Sequence, residues 1–433
     1  LNVLLWSGHY PDKWKQNRTV LIPKGEEALN NVKNWRPITI GNIVARMYGR
    51  VLEERLSERI KLNVRQKGFM RGNGVYENTF LLEEVIREGK KNQLVGVITD
   101  ISKAFDSVSH WGILDELKRR RVNEKLIKII KAMYESSQVT IDGYEIDIGI
   151  KRGVKQGDSL SPLLFNMVLD PVISHFDNED YGIRMGNQNI SCLAYADDLI
   201  VLARHQEEAG RMMEKLAAFL GERGMLLSPE KCRCFGIKRY QKGWIHFDTA
   251  FNIHGKSIRN LKVNESFKYL GITFNIQEGM SNMENANEII KACGRVRKLA
   301  LKPIQKLDFI YVHLVPSMLS MLGIEGPSGN ALRAIDGELK AITKCTMHLH
   351  RSINDGFLYT KRSEGGLGIM DVGEVAKSTY IKNGLKMLKS RDPATIQITE
   401  QTGFVLKLEE MARKMGMGSL NIKEVERWKR DMK

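Results

Sequence analysis

The sequence predicts an α+β fold with a small antiparallel sheet and a helical C-terminal part. Strand-like and helix-like segments are mixed through the middle of the chain without the strict alternation typical of a parallel sheet. From about residue 280 onward the pattern is mostly helical. The chain has 433 residues, of which 42% are hydrophobic and 27% charged, which excludes a disordered protein and allows about two to four structural units.

Five elements are predicted in the first third of the chain. An uninterrupted pattern rich in Arg and Glu predicts the first helix, and an apolar stripe predicts the second. A β-rich run that ends at Asp100 predicts a strand, and alternation around Asp142-Gly143 predicts a hairpin. In chain order, the five are helices over residues 44–62 and 77–91, a strand over 94–99, a helix over 111–134 and a hairpin over 139–150.

The middle of the chain predicts a second set of elements. An apolar helix over residues 162–176 follows Ser159 and Ser161, either of which could cap it. Two β-rich arms within residues 190–203 flank the sequence Ala196-Asp197-Asp198. The remaining elements are an amphipathic helix over 207–223 closed by Gly224, and strands near 234–237 and 267–274.

Charge gives the first indication of function. The chain carries 67 Lys and Arg against 51 Asp and Glu, a net charge of +16. The charge is +7 over residues 1–99, +1 over 100–279 and +8 over 280–433, so two basic flanks enclose a nearly neutral centre. This distribution favours a polyanionic partner such as nucleic acid, and solvated surface lysines are the alternative. Five cysteines fit a reducing compartment, and no apolar stretch is long enough to span a membrane.

The neutral centre contains a candidate catalytic site. Asp100 ends a buried-looking strand, and Asp197 and Asp198 lie between two apolar strand arms. If these strands pair side by side, three carboxylates converge and suit Mg²⁺, and two such ions catalyse phosphoryl transfer. A tight turn with solvated acids is the alternative.

Seven segments resemble, in the same order, the motifs of reverse transcriptases. They are Leu21-Ile22-Pro23-Lys24 with Asn34-Trp35-Arg36-Pro37-Ile38, Gln66-Lys67-Gly68-Phe69, Asp100 to Asp106, Gly153 to Pro162, Tyr195-Ala196-Asp197-Asp198, Ser228 to Cys232, and Phe267-Lys268-Tyr269-Leu270-Gly271. The details resemble the enzymes of non-LTR retrotransposons, in particular the site-specific insertion elements of animal ribosomal genes. The late run Glu364 to Ile369 is also similar to that lineage.

The resemblance implies a metal centre and a catalytic acid. Asp100 and Asp197 would bind two Mg²⁺ ions, for which Mn²⁺ is a possible substitute, and the carbonyl of Ile101 would complete one ion's ligands. Asp198 is implied as a further ligand, although neighbours on a strand face opposite ways. Lys231 would act as general acid for the leaving pyrophosphate, with an ordinary strand-edge lysine as the alternative.

The resemblance also implies sites for nucleotide and primer. Lys24 and Arg36 would hold the triphosphate, and Gln156 and Gly157 would form the floor under the nucleotide. Ile101 and Ala104 would also belong to the nucleotide-binding site, and Phe105 would exclude a ribose 2′-OH. Tyr269, Leu270 and Gly271 would grip the primer. The alternatives are solvated charges, a glycine turn, a core phenylalanine and a plain β-turn-β.

The implied fold is a right-hand polymerase. The expected boundaries are fingers over residues 1–95 and 107–155, palm over 96–106 and 156–279, and a helical thumb and C-terminal extension over 280–433. Because the chain starts with Leu1, we expect it to be part of a longer protein. A source in an animal retrotransposon would imply a nuclear location, and any other source an intracellular one.

The implied activity is RNA-directed DNA polymerisation, with an RNA template, a DNA or RNA primer and dNTPs, in target-primed reverse transcription. A group II intron or other bacterial reverse transcriptase shares the motifs. An RNA-dependent RNA polymerase is disfavoured by Phe105. A catalytically silent nucleic-acid-binding module is a further alternative, against which the intact acids argue. The copied RNA, the target site and the oligomeric state stay open.

Overall fold

The protein is described by a computed structural model that covers residues 1–23, 34–141, 147–281, 283–317, 329–417, 420, 421 and 425. The chain forms two compact units. The first consists of Leu1–Met70, Lys91–Arg184 and Asn189–Asn260, and the second of Arg71–Lys90, Met185–Gln188 and Leu261–Lys433. The mixture of helices and antiparallel sheets confirms the predicted α+β class. Among the described residues, no helix has the length and apolar character that crossing a membrane requires.

A mostly antiparallel sheet lies at the centre of the first unit. Its strands in spatial order are Gly243–Phe247, Arg233–Tyr240, Gln93–Thr99, Asp198–Ala203 and Cys192–Tyr195, with Arg259–Asn260 running parallel beside the second. Leu94, Val95 and Val97 of the middle strand are fully buried, which explains why this segment is a nearly continuous apolar run. The predicted antiparallel sheet and the hairpin that carries Asp197 are therefore confirmed.

Helices cover this sheet and bury the main core. They are Asn2–Ser7, Ile43–Ser57, Ala104–Ser107, His110–Arg119, Glu124–Tyr134, Ser161–Asn178 and Gln206–Glu222. Phe165, Leu164 and Phe176 of the Ser161–Asn178 helix are fully buried, and they belong to the same apolar cluster as Val97 and Val201 of the sheet. Burial of this apolar surface is the main stabilising contribution to the first unit.

A second sheet in the first unit carries part of the predicted nucleotide site. It has the strand order Trp35–Ile40, Gln16–Pro23, Gln138–Ile141 and Asp147–Gly149. Arg36 lies opposite Ile22 in the first antiparallel pair. The last two strands confirm the predicted hairpin, whose Asp142-Gly143 turn lies outside the described residues, as does Lys24. Two short strand pairs are also present: Ile183–Met185 with Gln188–Ile190, and Asn252–Ile253 with Lys256–Ser257.

The second unit is mainly helical. A three-stranded antiparallel sheet contains Ser266–Tyr269, Ile272–Asn275 and Gly279–Ser281. The helices are Gly74–Lys91, Met283–Arg297, Pro303–Phe309, Ile310–Leu314 (a π-helix), Gly329–Thr346, Asp355–Tyr359, Val372–Met387, Pro393–Gln401 and Phe404–Lys414. Ile335, Ile342 and Val315 lie at the centre of one apolar cluster of this unit. The predicted helical character beyond residue 280 is confirmed.

Three details of the predicted elements are wrong. The single helix predicted over residues 111–134 is two helices. The first ends because Arg121 adopts a positive φ of 53°. A new helix then begins, capped by the Asn123 side chain, which accepts a hydrogen bond from the Lys125 N–H. Neither Ser159 nor Ser161 caps the helix that follows, because Leu160 occupies the capping position and no side chain bonds there. The first long helix ends at Ser57 rather than at residue 62.

Candidate active site

The pairing of two neighbouring strands brings the predicted acids to one end of the central sheet. Thr99 lies opposite Leu199 in the antiparallel register, so Asp100 and Asp198 continue the two strands at the same edge. Tyr195 pairs with Asp198, which leaves Ala196 and Asp197 as the two turn residues. Residues 195–198 are called the acid turn below. The side-by-side pairing expected from the sequence is confirmed.

Asp100 has an unusual set of contacts. Its backbone N–H donates to Cys232 Sγ at 3.4 Å, and its carbonyl accepts from the Ser228 N–H at 2.8 Å. Its Oδ1 lies 3.5 Å from Lys231 Nζ, yet this oxygen is buried and accepts no hydrogen bond. A buried carboxylate oxygen without a hydrogen bond is costly. A positive charge placed beside Asp100 would therefore be stabilised.

The other two acids repel one another. Burial raises the pKa of Asp197, the charge of Asp100 raises it further, and the charge of Arg36 partly opposes both. The Asp198 side chain is exposed on one side, and the surrounding protein removes only part of the water around it. This desolvation, with the charges of Asp197 and Asp100, raises the pKa of Asp198 to about 6. Among the described residues, no three His, Cys, Asp or Glu side chains lie close enough to form a metal site by themselves.

The segment Lys155–Gln156–Gly157–Asp158, called the nucleotide floor below, is held against two neighbouring segments. The Thr39 N–H donates to the Gln156 carbonyl at 2.8 Å, and Gln156 Nε2 donates to Asp106 Oδ1 at 2.8 Å. Gly157 has a φ of +113°, and a Cβ there would lie 2.8 Å from the Thr39 carbonyl oxygen. Only glycine fits this position without strain.

Phe105 is fixed by other aromatic rings. It stacks on Phe165 with ring centroids 4.4 Å apart and an angle of 16°, and the edge-on ring of Phe69 lies 6.0 Å away. Such contacts between aromatic rings fix the orientation of the Phe105 ring more strongly than burial alone would. Phe105 is therefore both packed against the core and exposed to the cleft described next.

One cleft of about 1580 Å³ in the first unit joins most of the predicted residues. The members that line it are Arg36, Asp100, Ile101, Ala104, Phe105, Gln156, Gly157, Asp197 and Lys231. Asp198 does not line it. The structure thus brings together acids, a guanidinium, an ammonium, an aromatic ring and a close-fitting glycine, a combination suited to a charged, planar, sugar-containing substrate.

This arrangement agrees with the sequence family that matches the chain. The family described as reverse transcriptase (RNA-dependent DNA polymerase) matches residues 22–274, more than half of the chain. The chain belongs to the reverse transcriptase family. This membership agrees with the family from which the right-hand polymerase class was expected.

Relatives of this reverse transcriptase support the predicted lineage. It is 34% identical over 412 residues to the Pol polyprotein of a type-1 retrotransposable element R2 from Popillia japonica, covering 92% of this chain and 57% of that protein. It is 32% identical to the R2 Pol polyprotein of Nasonia vitripennis, over 85% of this chain and 36% of that protein. The chain thus spans about a third to just over half of the length of these relatives. The resemblance to non-LTR retrotransposon enzymes is confirmed, and the bacterial alternative is not favoured.

A solved structure of apo telomerase from Candida tropicalis is also similar. It shares 14% identity with this reverse transcriptase, with a TM-score of 0.48, over 97% of this chain and 70% of that one.

The predicted primer grip of this reverse transcriptase lies in the second unit. Tyr269 is buried, and its hydroxyl accepts a hydrogen bond from Asn78 Nδ2 at 3.2 Å. Leu270 and Gly271 form the turn between two strands, with φ of 50° and 79°, and Gly271 is exposed. The β-turn-β form is therefore present, and the turn rather than the tyrosine ring is the part open to a ligand.

Sequence reasoning missed two groups of cleft residues. Ile43, Arg46, Met47 and Arg50 line the cleft from one face of a helix. Their spacing of three, four and seven residues is the signal that could have identified this face.

The second missed group lies in the nucleotide floor. Lys155 is buried, and this burial lowers its pKa to about 8, with partial opposition from the charge of Asp158. Burial raises the pKa of Asp158. No pattern in the sequence distinguishes these two residues from exposed ones, because their burial depends on the packing of several distant segments.

Proposed function

We propose that this reverse transcriptase copies RNA into DNA for a non-LTR retrotransposon by adding deoxynucleotides to a primer 3′-OH. The observation that carries the proposal is that one cleft is lined by the residues proposed for the metal, the nucleotide and the leaving group. Template-directed extension needs all three functions within reach of one nucleotide.

The acids fit a divalent metal. Reverse transcriptases generally use divalent ions. Asp100 supplies a buried oxygen with no hydrogen bond. The charge of Asp100 raises the pKa of Asp197 and of Asp198, and the charge of Asp197 raises that of Asp198 further, so a cation beside these acids would be favourable. Hard carboxylate oxygens suit Mg²⁺, with Mn²⁺ as a substitute. When bound, two such ions stabilise the attacking and leaving oxygens of phosphoryl transfer.

A backbone carbonyl oxygen can act as a metal ligand together with these acids. Ile101 faces Leu227 in an isolated antiparallel bridge, and the hydrogen bonds on either side run from Ser102 to Leu226 and from Ser228 to Asp100. In such a pair, the N–H and C=O of the facing residue point away from the partner strand. The Ile101 carbonyl is thus left for another ligand. Asp100, Asp197 and Ile101 hold the metal in this proposal, with Asp198 as an outer member.

The remaining cleft residues bind and select the nucleotide. Arg36 holds the triphosphate through its guanidinium, and Lys24, which lies outside the described residues, is proposed to assist it. Gln156 and Gly157 support the base and sugar. Phe105, fixed by Phe165, leaves no room for a 2′-OH, which selects deoxynucleotides.

Lys231 completes the reaction. Its ammonium is largely exposed and lies 3.5 Å from Asp100 Oδ1, at the wall of the cleft. It donates a proton to the pyrophosphate oxygen that leaves when the new phosphodiester bond forms.

The partners follow from charge and lineage. The net charge of +16 favours a bound RNA template and a DNA or RNA primer. The relatives are named as retrotransposable elements, and on that lineage we propose that the activity serves target-primed synthesis at a chromosomal site in the nucleus.

Primer extension tests the proposal. Purified protein is given an RNA template with an annealed DNA primer and either dNTPs or rNTPs, with Mg²⁺ or with EDTA. Extension with dNTPs that requires Mg²⁺ and is lost in Asp197→Asn supports the proposal. Retained binding of the duplex without any extension would favour the catalytically silent module, and a preference for rNTPs would favour an RNA polymerase.

A further inference from the structure

One buried glutamine side chain binds the backbone of the acid turn. Gln66 is 2% exposed. Its Oε1 accepts hydrogen bonds from the Ala196 N–H at 2.7 Å and from the Gly68 N–H at 2.9 Å, and its Nε2 donates to the Ala196 carbonyl at 3.2 Å. Both backbone groups of Ala196, the residue before Asp197, are therefore bound by one amide.

Ala196 needs such support because of its conformation. It has a φ of 54°, which is disfavoured for a residue that carries a Cβ. Of the two turn residues, only the first, Ala196, has a positive φ. This is the pattern of a type II′ turn, in which the first turn residue is preferably glycine. The sequence places alanine there, so contacts from outside the turn must hold the conformation.

The segment that carries Gln66 runs along the hairpin. Gln66 forms a parallel bridge with Ala194, the Lys67 N–H donates to the Ala194 carbonyl at 2.9 Å, and the Ala194 N–H donates to the Arg65 carbonyl at 3.3 Å. A Cβ on Gly68 would lie 2.2 Å from the Ala196 nitrogen. The segment therefore packs directly on the turn, with no room for a side chain between them.

A further amide anchors this segment from the other side. Asn166 Nδ2, on the buried helix Ser161–Asn178, donates to the Gly68 carbonyl at 2.7 Å. The chain of contacts thus runs from the core helix through Gly68 and Gln66 to Ala196, and it ends one residue before the carboxylate of Asp197. Rigid support of this kind is what a catalytic group requires.

We propose that Gln66 is a positioning residue of the polymerase site, whose amide fixes the backbone of Ala196 so that the Asp197 carboxylate is held ready for the metal. The proposal rests on the proposed function for its catalytic consequence. Gln66 does not line the cleft. Its loss should therefore affect the chemical step and metal affinity more than nucleotide binding.

The test compares Gln66→Met, which keeps the length of the side chain without its hydrogen bonds, with Gln66→Asn, which keeps the amide but is one methylene too short. Ile173→Ala is the matched control, because Ile173 is equally buried in the Ser161–Asn178 helix and does not belong to the acid turn. For each protein we would measure the melting temperature, kcat and KM for dNTPs, and the affinity for Mn²⁺ by electron paramagnetic resonance without nucleic acid.

Both Gln66 variants should lower kcat by about tenfold or more and change the KM for dNTPs by less than about threefold. Both should also weaken Mn²⁺ binding severalfold. Ile173→Ala should lower the melting temperature but keep kcat and Mn²⁺ affinity. Wild-type values in folded Gln66→Met, or losses in both Gln66 variants no larger than in the control at equal stability, would overturn the proposal.

The test remains decisive if one variant does not fold or if the wild-type protein is inactive. If Gln66→Met does not fold, Gln66→Asn carries the test, because its amide is too short to reach Ala196 in the same way, and full kcat and Mn²⁺ affinity in that variant would overturn the proposal. If the wild-type protein fails to extend a primer, the proposed function fails, while Mn²⁺ binding by the same variants still tests the role of Gln66.

Discussion

The acid turn and the nucleotide floor are two walls of one cleft. Each contains a residue with a positive φ close to another segment of backbone, but the two walls accommodate this conformation differently. In the floor, the strained position is occupied by Gly157, which can adopt a φ of +113° and lie against Thr39. In the acid turn, the strained position is Ala196, and the glycine lies across from it at residue 68. The floor therefore adopts its conformation through its own glycine, whereas the acid turn depends on contacts from the separate segment that contains Gln66 and Gly68.

This difference predicts that substitutions in the two walls will affect different kinetic constants. Changes in the floor should act on nucleotide binding, because Gln156 and Gly157 line the cleft directly. Changes behind the acid turn should act mainly on the chemical step, because Gly68 and Gln66 do not line the cleft and both contact Ala196, the residue before Asp197. The following variants test this separation in order of decreasing expected effect.

Asp197→Asn should remove activity almost completely. Loss of one carboxylate from the proposed metal centre is expected to lower kcat by about 10³-fold or more, since the proposed ions would act directly on the reacting oxygens. Single-turnover dNTP incorporation would measure this, with exposed Asp248→Asn as the matched control. Substantial incorporation by Asp197→Asn would remove the acid turn from the catalytic centre.

Gly68→Ala should lower kcat with little change in the KM for dNTPs. A Cβ placed 2.2 Å from the Ala196 nitrogen must displace the backbone of the acid turn, and a loss of about 10–100-fold is expected from a shift of this kind. The control is Gly210→Ala on the helix Gln206–Glu222, where a Cβ meets no atom within 4 Å. An equal effect of both substitutions would contradict the prediction.

Gly157→Ala should instead raise the KM for dNTPs. The new Cβ combines a disfavoured φ with a 2.8 Å approach to the Thr39 carbonyl, at a cost of about 1–3 kcal/mol. The floor should therefore move, and kcat/KM should fall by roughly 5- to 150-fold if the whole cost appears in nucleotide binding. Steady-state kinetics on one template provide the measurement. A fall in kcat at constant KM would show that the two walls are not separable in the way argued above.

Phe105→Ala should change sugar selection on the floor side of the cleft. Removal of the ring that stacks on Phe165 opens space beside the sugar, and the kcat/KM ratio of dCTP to CTP should fall by about tenfold or less. Phe219→Ala, on the Gln206–Glu222 helix, serves as the control because its ring does not line the cleft. An unchanged ratio in folded Phe105→Ala would assign selection to another residue.

Asp198→Asn should stabilise the protein slightly in the absence of metal. The pKa of Asp198 is raised from 3.8 to about 6 in the folded chain, so the folded state binds more protons between these values and the free energy of unfolding falls as pH rises through this window. Above about pH 6 the penalty is complete. The variant removes it, for a gain of about 1 kcal/mol after allowance for solvent exposure.

Thermal melts in EDTA at pH 8 and pH 4 would measure this effect. The difference in melting temperature between Asp198→Asn and wild type should be positive at pH 8 and should shrink at pH 4. A difference that is independent of pH would mean that the Asp198 charge is not destabilised by its neighbours.

The sequence by itself determined the reaction type and most of the cleft. The acid pair between apolar strand arms, the Asp100 strand and the order of seven motifs were sufficient, because metal ligation and phosphoryl transfer restrict both residue types and spacing. The strands followed from alternation and apolar runs, since local burial patterns dominate there. The break between His110–Arg119 and Glu124–Tyr134 was not found, because a left-handed Arg121 has no strong local signal.

The tertiary structure alone decided which residues support the site. The burial of Lys155, the π-stacking of Phe105 on Phe165, and the amide of Gln66 on Ala196 join segments that are far apart in the chain. Gln66 and Ala196 are 130 residues apart. Their hydrogen bonds form because Arg65 and Lys67 pair with Ala194, and no periodicity or propensity in either segment encodes that pairing. The chemistry of the cleft is therefore readable from its residue types, whereas the rigidity of the acid turn depends on long-range packing that only the fold specifies.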